Sequence, residues 1–184
     1  MAPQEIYIRN VLLSDVQYVE RLYKIINSAY RTDESWTTEP PELVNGDRIT
    51  RDGIRDLIQR NGDPNHILLA FLPSDEEGRP DDVVGTIEVK PDRTQRWGLI
   101  GLLSVDPTQQ SRGIGGRLMR AAQEFIRDEL EYEEARLMVI KERSDIIVWY
   151  RKLGFEETGG GERLRHPSFP KEGLVFTVFK KRLV

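Results

Sequence analysis

Apolar and polar positions alternate with two different periods at the start of the chain, and each period predicts a different element. Residues 4–9 alternate strictly, with Ile6 and Ile8 on one face, which predicts a strand. Ser14 and Gln17 have the spacing of a capping box, so we expect a helix to follow. The apolar residues that recur at helical spacing there are Val16, Val19, Leu22, Tyr23, Ile26 and Tyr30.

The helical pattern then stops, and a long connection is expected before the next element. Residues 31–47 combine scattered charges with a pair of prolines, which predicts a loop. A short helix is predicted over residues 50–60, ending before a turn-forming Asn-Gly-Asp-Pro sequence. Its apolar positions are Ile54, Leu57 and Ile58.

Three apolar segments in the middle of the chain predict neighbouring strands. Residues 66–72 and 83–90 read as a hairpin, with the polar residues 73–82 as a flexible tip. Residues 99–105 have too little polar alternation for a half-exposed strand, so this strand is expected at the centre of a sheet. Gly101 within it indicates a bulge or a close backbone approach.

The remaining pattern predicts helices over residues 115–130 and 144–153, a strand over 135–140 and a last strand. The first helix carries one apolar stripe, formed by Leu118, Ala122, Phe125, Ile126 and Leu130. Alternation in the last strand involves Leu174, Phe176 and Val178. The predicted order is β-α-α-β-β-β-α-β-α-β, ending in a strand. Because no internal repeat or second domain is visible, we expect one domain over residues 1–184.

Composition narrows the classes of function. The chain has no cysteine, which excludes disulfides, thiolate metal sites and an acyl-cysteine intermediate. His66 and His166 alone cannot build a zinc site, so no metal is expected. A net charge of −4 gives no electrostatic support for binding nucleic acid. Without a signal sequence or an apolar run long enough to span a membrane, a cytoplasmic protein is expected.

A glycine-rich turn follows the predicted central strand and opens a helix, an arrangement that binds phosphate groups. Three glycines, Gly113, Gly115 and Gly116, let backbone N–H groups approach an anion closely. A P-loop would continue with Lys and then Ser or Thr, whereas Arg117 and Leu118 stand here. The dinucleotide fingerprint is also incomplete, because Leu118 occupies its third glycine position.

Two segments resemble signatures of the Gcn5-related N-acetyltransferases, the GNAT superfamily. Residues 110–115 read Gln-Ser-Arg-Gly-Ile-Gly, similar to the family's Q-x-x-G-x-G sequence, and they follow a strand and a Val-Asp-Pro sequence. Residues 149–155, Trp-Tyr-Arg-Lys-Leu-Gly-Phe, resemble the family's second signature. The resemblance covers the C-terminal part of the chain. It implies a mixed α/β (α+β) fold, with a mostly antiparallel twisted sheet flanked by helices.

The resemblance also implies acetyl-CoA as the acyl donor. Its pyrophosphate is expected on the N–H groups of the glycine turn, and its pantetheine arm along the central strand, where one N–H group polarises the acetyl carbonyl. Arg143 departs from the family, since many members have asparagine there, and we interpret it as reaching a phosphate instead. The implied cofactor-binding residues are Leu103, Ser104, Val105, Gln110, Ser111, Arg112, Gly113, Ile114, Gly115, Gly116 and Arg143.

Catalysis needs an acid for the departing thiolate and a base for the acceptor ammonium. Tyr150 occupies the position of the family's general acid, although its helical spacing also fits a core aromatic. For the base we consider Glu88 and Glu39, while most acidic residues are merely exposed. Trp36 is expected either to form a wall of the acceptor pocket or to anchor its loop.

The predicted function is acetyl transfer from acetyl-CoA directly to a primary amine of a small molecule, amino acid or peptide. Transfer of another acyl chain, transfer to protein lysines, and a non-catalytic acyl-CoA-binding module that senses or scaffolds remain alternatives. Related enzymes often form homodimers, so a homodimer is allowed, and no nucleic-acid or membrane partner is expected. The glycine-rich residues 158–170 are expected to form a mobile loop that gates the acceptor site.

Overall fold

The computed structural model describes residues 5–164, 169 and 173–184, and seven strands in this part of the chain join one sheet. The strands are β1 (Tyr7–Asn10), β2 (His66–Leu72), β3 (Asp82–Asp92), β4 (Trp97–Val105), β5 (Glu134–Ile140), β6 (Glu156–Leu164) and β7 (Leu174–Arg182). Their order across the sheet is β1-β2-β3-β4-β5-β7-β6, which places β4 in the middle as predicted. Neighbouring strands are antiparallel except for β4 and β5, so the predicted mixed fold is confirmed.

The helices cover both faces of the sheet because each presents one apolar stripe to it. They are α1 (Val19–Arg31), α2 (Arg51–Gln59), α3 (Ile114–Glu124) and α4 (Ser144–Lys152). On one face α1 and α2 pack on β2 through a cluster that includes Ile26, Ile58 and Leu69. On the other face α3 and α4 pack through a second cluster, which includes Leu118 and Ile147. The predicted helix after the glycine turn continues past α3 as a π-helical turn, Phe125–Glu129.

Strands β4 and β5 separate at one end, and this separation positions the site described below. Their parallel pairing begins at Trp97 and Glu134 and ends at Ile100 and Leu137, although both strands continue. The pairing of β4 with β3 is also irregular: Thr86 faces Ser104, but Glu88 faces Gly101, so β4 has one extra residue. Leu102 lies in this bulge with a φ of 49°. The bulge expected near Gly101 is therefore present, centred on the following residues.

The expected capping box before α1 is wrong. A 3₁₀ turn, Leu13–Tyr18, precedes the helix instead. The Asp15 carboxylate accepts the N–H of Leu12 at 2.7 Å and both guanidinium nitrogens of Arg9 at 2.7 and 2.9 Å. The residue that precedes the turn is therefore Leu12 rather than Ser14, and its N–H is held by a charged acceptor that also pairs with arginine. Val16, which was expected on the apolar stripe, is exposed as a result.

The mobile loop expected over residues 158–170 is wrong for its first part. Residues 158–164 belong to β6, which pairs antiparallel with β7 at the edge of the sheet. A register shift between Glu157 and Gly161 accommodates the glycines. Strand β6 is exposed along its whole length and lacks an apolar face, so its sequence carries no strand periodicity. Residues 165–168 and 170, and with them the expected gate, lie outside the described residues.

Candidate active site

A cavity of about 340 Å³ opens where β4 and β5 separate. Its walls come from the end of β4, the start of α3, strand β5, helix α4, and the connection between α1 and α2. This connection, residues 32–50, is called the α1–α2 loop below and contains no regular helix or strand. Since parallel strands in a sheet are normally joined along their length, the gap exposes backbone groups of both strands to a ligand.

The glycine turn forms one end of the cavity and has the geometry of an anion-binding helix start. Gly113 caps α3 in the left-handed region, with a φ of 79°, and all three glycines line the cavity. The first backbone bond of the helix runs from the Arg117 N–H to Gly113, so earlier N–H groups remain available to a ligand. A Cβ at Gly115 would meet Trp149 at 3.8 Å, and one at Gly116 would meet nothing within 4 Å.

The predicted contact strand is divided between the cavity and the core. Leu103 and Val105 line the cavity, whereas Ser104 is buried and donates its hydroxyl to the Leu102 carbonyl at 3.2 Å. Beyond Ile100, β5 supplies no partner for the edge of β4 that faces it. That edge can therefore pair with an extended ligand arm.

Tyr150 lies on α4 and lines the same cavity. Among the described residues its hydroxyl has no hydrogen-bond partner, while every described side-chain nitrogen or oxygen without solvent access has one. The hydroxyl is therefore accessible from the cavity. Burial raises the pKa of Tyr150, and the proximity of Tyr30 raises it further, so the phenol stays protonated throughout the neutral range. Tyr150 can therefore donate a proton at neutral pH.

The two carboxylates considered as bases have different surroundings. Glu39 lines the cavity and is ion-paired with Arg31. Glu88 is buried at 4% exposure, accepts a hydrogen bond from Asn65 at 2.9 Å and pairs with Lys90 at 3.2 Å. Glu88 does not line the cavity, but a Cβ built at Gly101, which does, would lie 3.8 Å from the Glu88 Oε2 atom.

The α1–α2 loop bridges the separated strands. At the β4 side, the Gln110 side-chain amide donates to the Ser35 hydroxyl at 2.8 Å and to the Val105 carbonyl at 3.2 Å. At the β5 side, the Arg143 guanidinium donates to the Thr37 carbonyl at 3.0 Å. Both residues line the cavity, and both hold the loop across the gap.

Trp36, between these two attachments, lines the cavity and lies edge-on to Trp149, with 6.1 Å between ring centroids. The residue is 49% exposed, and the two uses expected for it, a pocket wall or a loop anchor, stay predictions. Arg143 also forms a two-pronged ion pair with Asp145 at 3.0 and 2.9 Å. Arg112 does not line the cavity, and its guanidinium donates a hydrogen bond to the side-chain oxygen of Gln109. The binding and catalytic roles assigned to the site residues stay predictions.

Several cavity residues were missed by sequence reasoning. They come from elements that reach the site only through folding, and they include Tyr30, Arg48, Leu137, Met138, Val139, Ile146 and Phe176. Tyr30 was assigned only to an apolar helix stripe, and Arg48 has no local pattern that would distinguish it. The Arg48 guanidinium carbon lies 5.0 Å from the centroid of the Tyr30 ring.

Comparisons with known proteins agree with this fold. Residues 69–157 match the family model of the acetyltransferase (GNAT) domain. Two solved structures with the same fold are a GNAT-family acetyltransferase from Streptococcus pneumoniae and a spermidine N-acetyltransferase from Vibrio cholerae in complex with CoA and spermine. The first is 18% identical, with a TM-score of 0.65 over 98% of this chain and 100% of that chain. The second is 14% identical, with a TM-score of 0.67 over 97% and 95%.

No curated protein sequence gives a significant match. The matched domain and the fold are those of an acyltransferase enzyme. More specifically, residues 69–157 form an acetyltransferase domain of the GNAT superfamily, a family that uses acetyl-CoA, so the resemblance of the two signatures, which lie within this range, is confirmed. Within the described part of the chain, no helix is both long and apolar enough to cross a bilayer.

Proposed function

We propose that this protein transfers an acetyl group from acetyl-CoA directly to a primary amine of a small molecule, amino acid or peptide. The observation that carries the proposal is that one cavity joins the N–H-rich start of α3 to the hydroxyl of Tyr150. A donor with a phosphate end and a reactive end needs both features in one continuous space. The Vibrio cholerae structure with CoA and spermine has the same fold and an amine acceptor, which supports this reading.

The residues present fit the donor. Unused N–H groups at the start of α3 suit the pyrophosphate, because they combine hydrogen-bond donors with the positive end of the helix dipole. The unpaired edge of β4 suits the amides of the pantetheine arm, which extend it as a further strand would. Leu103 and Val105 lie on the cavity side of this edge.

Acetyl-CoA supplies a thioester whose carbonyl carbon bonds to the amine nitrogen while its C–S bond breaks and the electron pair stays on sulfur. Tyr150 donates its hydroxyl proton to that sulfur, since its hydroxyl is accessible from the cavity and protonated. The nitrogen loses its second proton as the amide forms, and the Tyr150 phenolate takes up a proton to restore the hydroxyl. The absence of cysteine agrees with direct transfer, without an acyl-cysteine stage.

An acceptor amine is mostly protonated at neutral pH, with a pKa near 10.4, so it must lose a proton before it attacks. Glu39 can take this proton directly from the cavity. Glu88 can take it through a water molecule beside Gly101, where the missing side chain leaves room. Separate Glu39→Gln and Glu88→Gln variants distinguish the two routes. The variant that lacks the base is expected to have a lower kcat and a pH profile of kcat without its acidic limb, whereas the other variant should keep both.

The proposal is tested by thiol release from acetyl-CoA in the presence of polyamines, amino acids, arylamines and peptides. Tyr150→Phe is expected to lower kcat about a hundredfold, the usual contribution of a general acid. Because the variant removes only a hydroxyl without a described partner, the Kd for acetyl-CoA and the Tm should not change. Tyr132→Phe, in the core away from the cavity lining, is the control and should retain full activity.

Release that no amine stimulates, although acetyl-CoA binds, would contradict the proposed transfer. Acceptor-dependent release that is equal in the native protein and in Tyr150→Phe would retain the transfer and remove the assigned acid.

A further inference from the structure

Few charged side chains line the cavity, and their positive and negative charges do not cancel. Among the described residues they are Glu39, Arg48 and Arg143. Glu39 is neutralised by Arg31, and Arg143 by Asp145. Arg48 forms no ion pair with any described carboxylate, and its guanidinium carbon lies 5.0 Å from the centroid of the Tyr30 ring instead. The excess charge on the cavity wall is therefore one cation.

An arginine held over an aromatic ring is well suited to bind an oxyanion. The cation–π contact restricts the guanidinium, and its N–H donors form the fork that matches a carboxylate or a phosphate. Arg48 is exposed at the cavity wall, so a ligand can reach these donors. No described protein group already occupies them.

The position of Arg48 associates it with the acceptor end of the cavity. Tyr30, which it contacts, lies close enough to Tyr150 for the two phenols to interact electrostatically. The phosphate-binding features lie at the start of α3, where a Cβ at Gly115 would meet Trp149 and Val105. A molecule with its amine near Tyr150 would place a second group near Arg48.

We propose that the acceptor is an amine that also carries an oxyanion, a carboxylate or a phosphate, and that this group binds the guanidinium of Arg48. The inference rests on the proposed acetyl transfer and names the class of its acceptor. A polyamine fits this cavity poorly, since its several ammonium groups would meet one carboxylate that is already paired and one unpaired cation.

The test uses acceptors that differ only in the anionic group. One set is phenylalanine, phenylalanine amide and phenethylamine, and the second is O-phosphoethanolamine and ethanolamine, with spermidine as the polyamine. Each is assayed by thiol release with the native protein, with Arg48→Gln and with Arg55→Gln. Arg55 is the control because it is an exposed arginine on α2 whose one ion-pair partner among the described residues is Asp52.

With the native protein, kcat/KM is expected to be higher for the anionic member of at least one set than for its neutral partners. Arg48→Gln should raise the KM for that acceptor about tenfold, the usual effect of losing one charge-assisted contact at an exposed site. The KM for acetyl-CoA, the rates with neutral amines and all rates of Arg55→Gln should be unchanged. The set that responds identifies the anion as carboxylate or phosphate.

Three results would overturn the inference. A preference for neutral amines or spermidine would retain acetyl transfer and remove the anionic acceptor. An Arg48→Gln variant that raises the KM for acetyl-CoA would assign the guanidinium to the donor instead. If no amine in any set stimulates thiol release, the proposed function itself fails, and the inference fails with it.

Discussion

The glycine turn allows a test in which the cavity is altered while the fold is preserved. The change is Gly115→Leu, at the second residue of α3. A Cβ at this position would lie 3.8 Å from Trp149 and 3.9 Å from Val105, which is ordinary van der Waals contact. Leucine is also a better helix former than glycine, by up to about 0.8 kcal/mol in a helix interior. The free protein should therefore be at least as stable as the native one.

The same side chain should strongly impair the binding of acetyl-CoA. Its four carbons enter a cavity of about 340 Å³ beside the N–H groups that we assign to the pyrophosphate. Holding the anion away from one of these groups removes a charge-assisted hydrogen bond worth about 2 kcal/mol. This corresponds to a Kd raised about thirtyfold.

Isothermal titration with acetyl-CoA measures the Kd, and thermal unfolding without ligand measures the Tm. Arg120→Leu is the control, because it places the same side chain on the exposed side of the same helix, outside the cavity lining. A Gly115→Leu protein that keeps its Tm and binds acetyl-CoA within about threefold of the native Kd would refute the assignment of the pyrophosphate to this turn.

Two further predictions concern the scaffold. Burial by itself raises the pKa of Asp15, but the hydrogen bonds from Arg9 and from the Leu12 N–H outweigh it and lower the pKa below its ordinary value. Its stabilising contribution is therefore present above about pH 4 and is lost as the pH falls through the folded-state pKa. Asp15→Asn should lower the free energy of unfolding at neutral pH by about 2 kcal/mol and flatten its acid dependence in urea titrations; an unchanged pH dependence would contradict this. Gly98→Ala should cost about 1–3 kcal/mol in the same assay, because its Cβ would lie 2.6 Å from the buried Ile126. A second change, Ile126→Ala, should then be less costly than in the native protein; equal costs would exclude the clash.

Local sequence patterns predicted the central elements well because local chemistry controls them. Strand β2 has the expected bounds, His66–Leu72, and α2 begins after Thr50, whose hydroxyl accepts the Gly53 N–H at 3.1 Å. The glycine turn opens α3 as expected, since Gly113 takes a φ of 79° that other residues adopt at a cost. Periodicity, a capping residue and a turn residue are sufficient in these cases.

Elements without a local signal were missed. Strand β6 contains the exposed glycines 159–161, and its side chains form no buried apolar face. Backbone pairing with β7 holds the strand in the sheet instead. The start of the first helix differs from the prediction because Asp15 binds Arg9 of β1, a contact between two elements. Tertiary partners outweigh intrinsic propensity at such positions.

The candidate site likewise combines features set by local sequence with features set by tertiary contacts. The sequence by itself determined the class of chemistry, through a glycine turn and a tyrosine in two recognisable signatures, because each signature is a short local arrangement. Only the tertiary structure decided that the α1–α2 loop joins Gln110 to Ser35 and Arg143 to Thr37, and that Arg48 reaches the wall of the cavity. These groups are far apart along the chain, and the separation of β4 from β5, a property of the whole sheet, is what brings them around one space.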